Sequence, residues 1–275
     1  MPAWLFAVSM ALLGLLFGSF ANVVIWRLPR GESVVRPGSH CPSCDTLIAG
    51  YDNIPIASWV ALRGRCRSCA APIAVRYPLV ELTSSALFVL AALAYGIGVR
   101  AAAAAVVFWL LLVLSVIDLD HLRLPNPLVG MLAAFGLVCA LVSQVSPLLL
   151  GPLTYERGAS VALGPLATAL VGAALGAGLS LGMAGLYGAL RKRRGLGMGD
   201  VKFLGALGLI LGPYVLLSLF IGSLIGMVVG LAGGRSVRLS ERRIPFGPWL
   251  ALGAVVTSFV GPAIWQWYLR LVGLA

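Results

Sequence analysis

Apolar runs of about twenty residues recur from one end of this chain to the other, and that recurrence restricts the fold more than any other feature. A helix needs about 20 such residues to cross a bilayer, and in lipid every backbone polar group must be satisfied internally. The runs are far longer than the alternating segments of a barrel strand, so the expected class is all-α, a polytopic helical membrane protein. Of the 275 residues, only 11% are charged, under half the usual share for a soluble domain. The net charge of +11 would suggest nucleic acid in a soluble protein. Here the cations cluster in short loops between apolar runs, which reads as membrane topology, and no nucleic-acid partner is expected.

The first run, PAWLFAVSMALLGLLFGSFANVVIW, is too long for a signal-peptide core and has no basic region ahead of it. Arg27 and Arg30 follow it instead. Residues 1–26 therefore read as an uncleaved anchor with its N-terminus outside and its far end in the cytoplasm. Residues 27–77 are the only long polar stretch, with seven Arg and four of the five Cys, and are expected to form a cytoplasmic domain. Residues 78–275 are expected to form the membrane core. Its segments fall at about 78–98, 101–118, 126–149, 160–190, 201–211, 213–233 and 247–272, eight in all with the first and both termini outside. Asn126 before Pro127 reads as a helix start, Asn capping and Pro in the first helical position. The cations at 191–194 and the RSVRLSERR loop at 235–243 are both expected inside, so an even number of crossings separates them. Gly212-Pro213 is the natural break. It leaves 201–211 about 16 Å long, half the hydrocarbon core, so that piece reads as a short or partly sunken helix. Glycine-rich runs such as LVGAALGAGLSLGMAGLYGAL offer small faces for close helix contact.

The polar stretch contains CPSCDTLIAGYDNIPIASWVALRGRCRSC, in which two C-x2-C pairs, Cys41/Cys44 and Cys66/Cys69, are separated by 21 residues. Each pair can present two thiolates to one tetrahedral ion through a tight turn, and two such turns complete a four-thiolate shell. The expected metal is structural Zn2+. A closed four-cysteine site has no open position for water, so hydrolysis is sought elsewhere. Disulfides fit less well with a loop placed in a reducing compartment. Cys139 falls mid-membrane and reads as a packing residue.

Nine Asp and Glu are present, and Glu81, Asp118, Asp120 and Asp200 touch membrane segments. Carboxylates there are costly and functional by default. Asp118 and Asp120 are about 200° apart on a helix, so both cannot face one cavity. Asp118 follows the apolar run and is expected inside, with Asp120 at the rim beside His121. Asp200 follows Gly197 and Gly199, which are expected to free the backbone for a sharp turn. It is then expected at the start of a 201–211 helix, where the dipole favours an anion. Lys202 and the cations at 191–194 add positive potential nearby. By topology Asp118 and Asp200 lie at one depth, where two carboxylates can share a proton and activate a water. On the helix dipoles, Asp200 is expected to be the ionised member and Asp118 the protonated one, with activity bell-shaped in pH.

These residues carry a resemblance. The stretches GSFANVVIWRLP (18–29), the two cysteine pairs, RYPLVEL (76–82), IDLDHLRLPN (117–126) and GMGDVKF (197–203) together resemble the bacterial prepilin peptidases, intramembrane aspartyl proteases of the GxGD type. The resemblance implies that Asp118 and Asp200 are catalytic. It implies cleavage of the basic leader from type IV prepilins or type II secretion pseudopilins at the cytoplasmic face of the bacterial inner membrane. It also implies N-methylation of the new terminus from S-adenosylmethionine. Relatives often carry Asp after the LP, where this chain has Asn126. Two other readings stand beside it. One is a proton-coupled transporter with the aspartates as a relay, and the other a non-catalytic, zinc-stapled subunit of a secretion assembly.

Overall fold

The computed structural model describes residues 2–146, 164–191, 196–232 and 245–273. The expected outer loop at 150–159, the RSVRLSERR loop and most of the cationic cluster at 191–194 lie outside the described residues. Nine α-helices are described: α1 Ala3–Arg27, α2 Ala57–Ala61, α3 Arg76–Tyr95, α4 Val99–His121, α5 Asn126–Val145, α6 Pro165–Arg191, α7 Met198–Leu211, α8 Val215–Ala232 and α9 Gly247–Leu271. Among the described residues seven stretches are long and apolar enough to cross a membrane. The sixth of these, Met198–Ala232, is broken at Gly212–Tyr214, where Gly212 takes φ +59°. Counting its two pieces separately gives the eight segments expected from sequence.

Two boundaries differ from expectation. Arg100, which falls between the expected segments 78–98 and 101–118, stands in the first turn of α4. The short helix begins at Met198, not 201, because Gly197 takes the extended cap conformation (φ −76°, ψ 149°) and releases the chain three residues earlier. Its 14 residues rise about 21 Å, still short of a bilayer core.

The chain forms two compact units, residues 1–113 and 114–275. In the first, α1 lies against α3 through Gly14 and Gly18. A Cβ on either would come within 2.6 or 2.5 Å of the Cα of Ser85 or Glu81. Backbones can approach that closely only where side chains are absent, and in lipid such packing replaces the hydrophobic drive that water would supply. The Ser85 hydroxyl donates to Ala11 O at 3.0 Å and Asn22 Nδ2 to Tyr77 O at 3.1 Å, which fixes the register of the pair. Trp109 donates its ring N–H to Phe17 O at 2.8 Å and stacks on Phe20.

In the second unit, α7 is wrapped by α5 and α6. Phe203, Leu204, Leu207 and Leu211 are fully buried along it. A helix enclosed in this way need not match the bilayer thickness. Gly172 and Gly208 bring α6 and α7 into backbone contact, and Gly222 does the same for α8 against α9. Gly178, Gly182, Gly185 and Gly188 of the glycine-rich run meet nothing within 4 Å, so only part of that run serves helix packing.

Candidate active site and metal centre

The two cysteine pairs fold into matching turns. Cys41 N–H donates to Thr46 O and Asp45 N–H to Cys41 O. Twenty-five residues later Cys66 N–H donates to Ala71 O and Ala70 N–H to Cys66 O. Asp45 and Ala70 occupy the same place in the two turns, and both take φ +57°. The turns bring the sulfurs of Cys41, Cys44, Cys66 and Cys69 within 4.8 Å of one another, and none is in a disulfide. Cys41 Sγ and Cys69 Sγ stand 3.8 Å apart. Tetrahedral zinc with sulfurs at about 2.3 Å requires about that spacing, so the donor set fits such an ion. The thiols share charge unevenly. The Thr46 hydroxyl and main chain pull Cys44 down to about 6, and the main-chain N–H groups of Cys69 and Ser68 lower Cys66. The Ala71 main chain pulls on Cys69 as well, but the neighbouring sulfurs, Cys44 first, and burial outweigh it and push Cys69 up to about 12. The loop is braced beside the cluster by Arg67, which donates to both oxygens of Asp52 at 2.7 and 2.6 Å.

In the second unit the site is assembled from three helix ends. Asp118 occupies the last turn of α4 and is 5% exposed. Leu122, at φ +51°, ends that turn by donating its N–H to Asp118 O. Asp120 and His121 are exposed, and no hydrogen bond joins His121 to Asp118. The Asp118 carboxylate accepts the N–H of Gly247, the first residue of α9, at 2.9 Å. Asp200 is the third residue of α7, and its Oδ2 accepts the Gly197 N–H at 3.2 Å, capping its own helix. Gly197 and Gly199 are not in conformations reserved for glycine, which corrects the expected glycine hinge. Gly197 provides room instead, since a Cβ there would sit 3.2 Å from Asp200 Oδ2.

Leu124 joins the parts. It lies 3.5 Å from where a Gly199 side chain would begin and 3.1 Å from where a Gly247 side chain would begin. The starts of α7 and α9 thus meet on one leucine. Each carboxylate spends one oxygen on a backbone N–H at a helix start, where the dipole favours an anion. Asp118 therefore has the same kind of support as Asp200. The expected inequality of charge followed from the negative end of α4 alone, and the N–H of Gly247 from α9 offsets it.

One other expectation is corrected. Pro125, not Asn126, takes the cap position of α5, and no side chain caps it. The Asn126 side chain accepts from Lys202 Nζ at 3.0 Å instead. Lys202 is thus tied to the start of α5 and forms no ion pair with Asp200. Gly247 and Leu124 were missed. The sign for Gly247 was Gly-Pro at 247–248, a helix start following a basic loop, and nothing in the sequence marked Leu124.

Residues 12–95 match the family model described as the bacterial peptidase A24 N-terminal domain, and residues 105–231 the model described as the type IV leader peptidase family. A prepilin leader peptidase/N-methyltransferase of Aeromonas hydrophila is 36% identical, over 97% of this chain and 94% of its own length. A type 4 prepilin-like proteins leader peptide-processing enzyme of Escherichia coli O78:H11 is 37% identical, over 90% and 91%. A prepilin leader peptidase/N-methyltransferase of Pseudomonas aeruginosa is 33% identical, over 98% and 95%. No solved structure matches the chain.

Proposed function

The chain belongs to the bacterial type IV leader peptidase family, and we propose that it removes the leader from prepilin-like proteins with Asp118 and Asp200 and then N-methylates the new terminus. The observation that carries the peptidase assignment is that Asp118, at the end of α4, and Asp200, in the first turn of α7, each accept a backbone N–H at a helix start, and that the starts of α7 and α9 both pack on Leu124. One carboxylate of the pair takes a proton from water as the oxygen attacks the scissile carbonyl. The other, protonated, hydrogen-bonds the carbonyl oxygen and then returns its proton to the departing nitrogen. The backbone N–H bonds hold the carboxylates in place. With similar support at both, the proton belongs to the pair, and its titration is macroscopic.

The substrate is a basic leader followed by a long apolar helix, and the protein works in the bacterial inner membrane. Arginines concentrated at 27–77 support a cytoplasmic position for the cysteine loop, and His121 and Arg123 after the apolar run of α4 support a cytoplasmic end for that helix. Cys41, Cys44, Cys66 and Cys69 hold Zn2+, which closes the loop and takes no part in hydrolysis. S-adenosylmethionine supplies the methyl group, a reading supported by the names of the relatives.

The test is direct. Purified protein in detergent, incubated with a prepilin, yields the shortened product, and mass spectrometry of the new N-terminus with S-adenosylmethionine present finds one added methyl group. Product formation without either Asp118 or Asp200 removes the peptidase assignment.

A further inference from the structure

Lys202 follows Asp200 by two residues in α7 and turns away from it, since two helical residues stand about 200° apart. Among the described residues it forms an ion pair with neither catalytic carboxylate. Its Nζ donates to Asn126 Oδ1 at 3.0 Å, a bond between side chains 76 positions apart in sequence. Asn126 is the first residue of α5 and follows Leu124 by two positions. With an ammonium as donor, the bond is charge-assisted and among the stronger ones a side chain can make.

The place of this bond gives it its use. α5 and α7 are neighbours, yet beyond Lys202 and Asn126 they part around an open groove of about 450 Å³, with Val129, Gly130, Gly205 and Ala206 in its wall. A Cβ on Gly130 would meet nothing within 4 Å, and one on Gly205 would meet only Ala173 and Ala177 of α6. The two helices close up again at Gly136, where a Cβ would sit 2.9 Å from Ile210 Cγ1 and 3.1 Å from Leu209 Cβ. The start of α7 is thus held at two points. Leu124 supports it at Gly199, and the bond from Lys202 to Asn126 ties it to α5 across the end of the groove.

We propose that Lys202 and Asn126 form a latch that fixes the first turn of α7, and that through it Lys202 is a positioning residue for Asp200. The inference rests on the peptidase reading above. A helix end held by one contact alone can rock about that contact, and Asp200 rides on this end. Loss of the latch leaves the bond between Asp200 and Gly197 intact, because both lie in one turn. It shifts the Asp200 carboxylate as a body relative to Asp118, which α9 holds separately. The rival role for Lys202 is its charge, felt by Asp200 across the helix. The two roles make different demands on Asn126, because a latch needs it and a charge does not.

Prepilin turnover by the full-length, metal-loaded protein in detergent is the first readout. Lys202→Met and Asn126→Leu are each expected to lower kcat by about tenfold, short of the roughly hundredfold for a displacement of a full ångström, with KM nearly unchanged. The reciprocal swap, Lys202→Asn with Asn126→Lys, rebuilds the bond with its ends exchanged and is expected to recover most of the loss. Normal kcat in Asn126→Leu, or a swap no better than the single variants, overturns the latch. A loss seen in KM alone overturns it too, since Lys202 would then be a substrate contact. Asn126→Leu leaves α7 untouched and carries the test if Lys202→Met fails to fold. Hydrogen exchange of the amides at 200–203 reads the latch without substrate. It is expected to quicken in Asn126→Leu, and unchanged exchange overturns the latch whether or not the protein is a peptidase. A wild type that cleaves no prepilin, with exchange responding as expected, overturns the peptidase reading and the part of Lys202 in it, while the tie between the helices stands.

Discussion

The cysteine cluster and the aspartate pair are built in opposite ways. The four sulfurs come from two short turns 25 residues apart, each closed by its own backbone hydrogen bonds. The carboxylates come from residues 82 positions apart, and one of them is held by a backbone N–H 129 positions away. The first arrangement is local chemistry repeated. The second exists only once α4, α7 and α9 have packed. A local site survives small errors in the rest of the fold, whereas an assembled one is as accurate as the packing between its helices.

The sharpest way to test the assembled site is to remove its chemistry and keep its shape. Asp118→Asn and Asp200→Asn preserve volume and an acceptor for Gly247 or Gly197, but neither amide can transfer a proton. Each is expected to lower prepilin turnover by about a thousandfold or more, with the protein still folded and inserted. Asp120→Asn, on the exposed side of the same turn, is expected to leave most of the activity. An Asp118→Asn enzyme with near-normal turnover would show that proximity at this site is structural only.

The next test disturbs position alone. A methyl group at Gly247 would sit 2.7 Å from Asp118 Oδ2 and 3.1 Å from Leu124 Cδ2. Gly247→Ala must therefore push the carboxylate or the leucine, even though alanine is the better helix former. Displacements of this order cost about a hundredfold in rate. The loss should appear in kcat, with little change in melting temperature. If Gly247→Ala turns over normally, the bond from α9 is not part of what positions Asp118.

This contrast also explains what the sequence disclosed. Both cysteine pairs were legible because ligand spacing within a turn is a one-dimensional signal, and the geometry of the sulfurs follows from it. Asp118 was legible as the buried member of its turn because helical periodicity separates it from Asp120. The break at Gly212 could be read because Gly-Pro there falls between a basic cluster and a basic loop that must lie on one side of the membrane. Gly247 and Leu124 could not be read as site residues, because their role is to touch other helices, and no local pattern encodes which ends will meet. The equal support of the two carboxylates was hidden for the same reason. Asn126 misled because its capping chemistry was real, yet Lys202 offered its side chain a better partner.

For the local site, the expectation is about one zinc per chain, lost when any one of Cys41, Cys44, Cys66 or Cys69 becomes Ser. Leader cleavage should persist after chelation under conditions in which the membrane helices stay folded. Cleavage that stops on chelation and returns with zinc, the fold unchanged, would give the metal a part in hydrolysis. Uptake by metal-free protein should release protons at neutral pH, Cys69 giving up the most firmly held one, so apparent affinity rises with pH.

The smallest expected effect comes from the brace beside that cluster. Arg67 grips both oxygens of Asp52, and this hydrogen bonding holds the Asp52 carboxyl below its usual range. A carboxyl depressed in the folded loop stabilises it above the unfolded value, about 3.9, and that contribution is lost as pH falls through the folded value. Asp52→Asn should therefore lower the temperature of metal release by less than any cysteine replacement does, because the Arg67 side of the pair is open to solvent and screened. The gap between wild type and Asp52→Asn should be widest above about pH 5 and should close in more acid solution. High salt should narrow it as well. A gap that stays constant down to the acid range would mean that Asp52 acts through the shape of the Gly50–Asn53 turn and not through its charge.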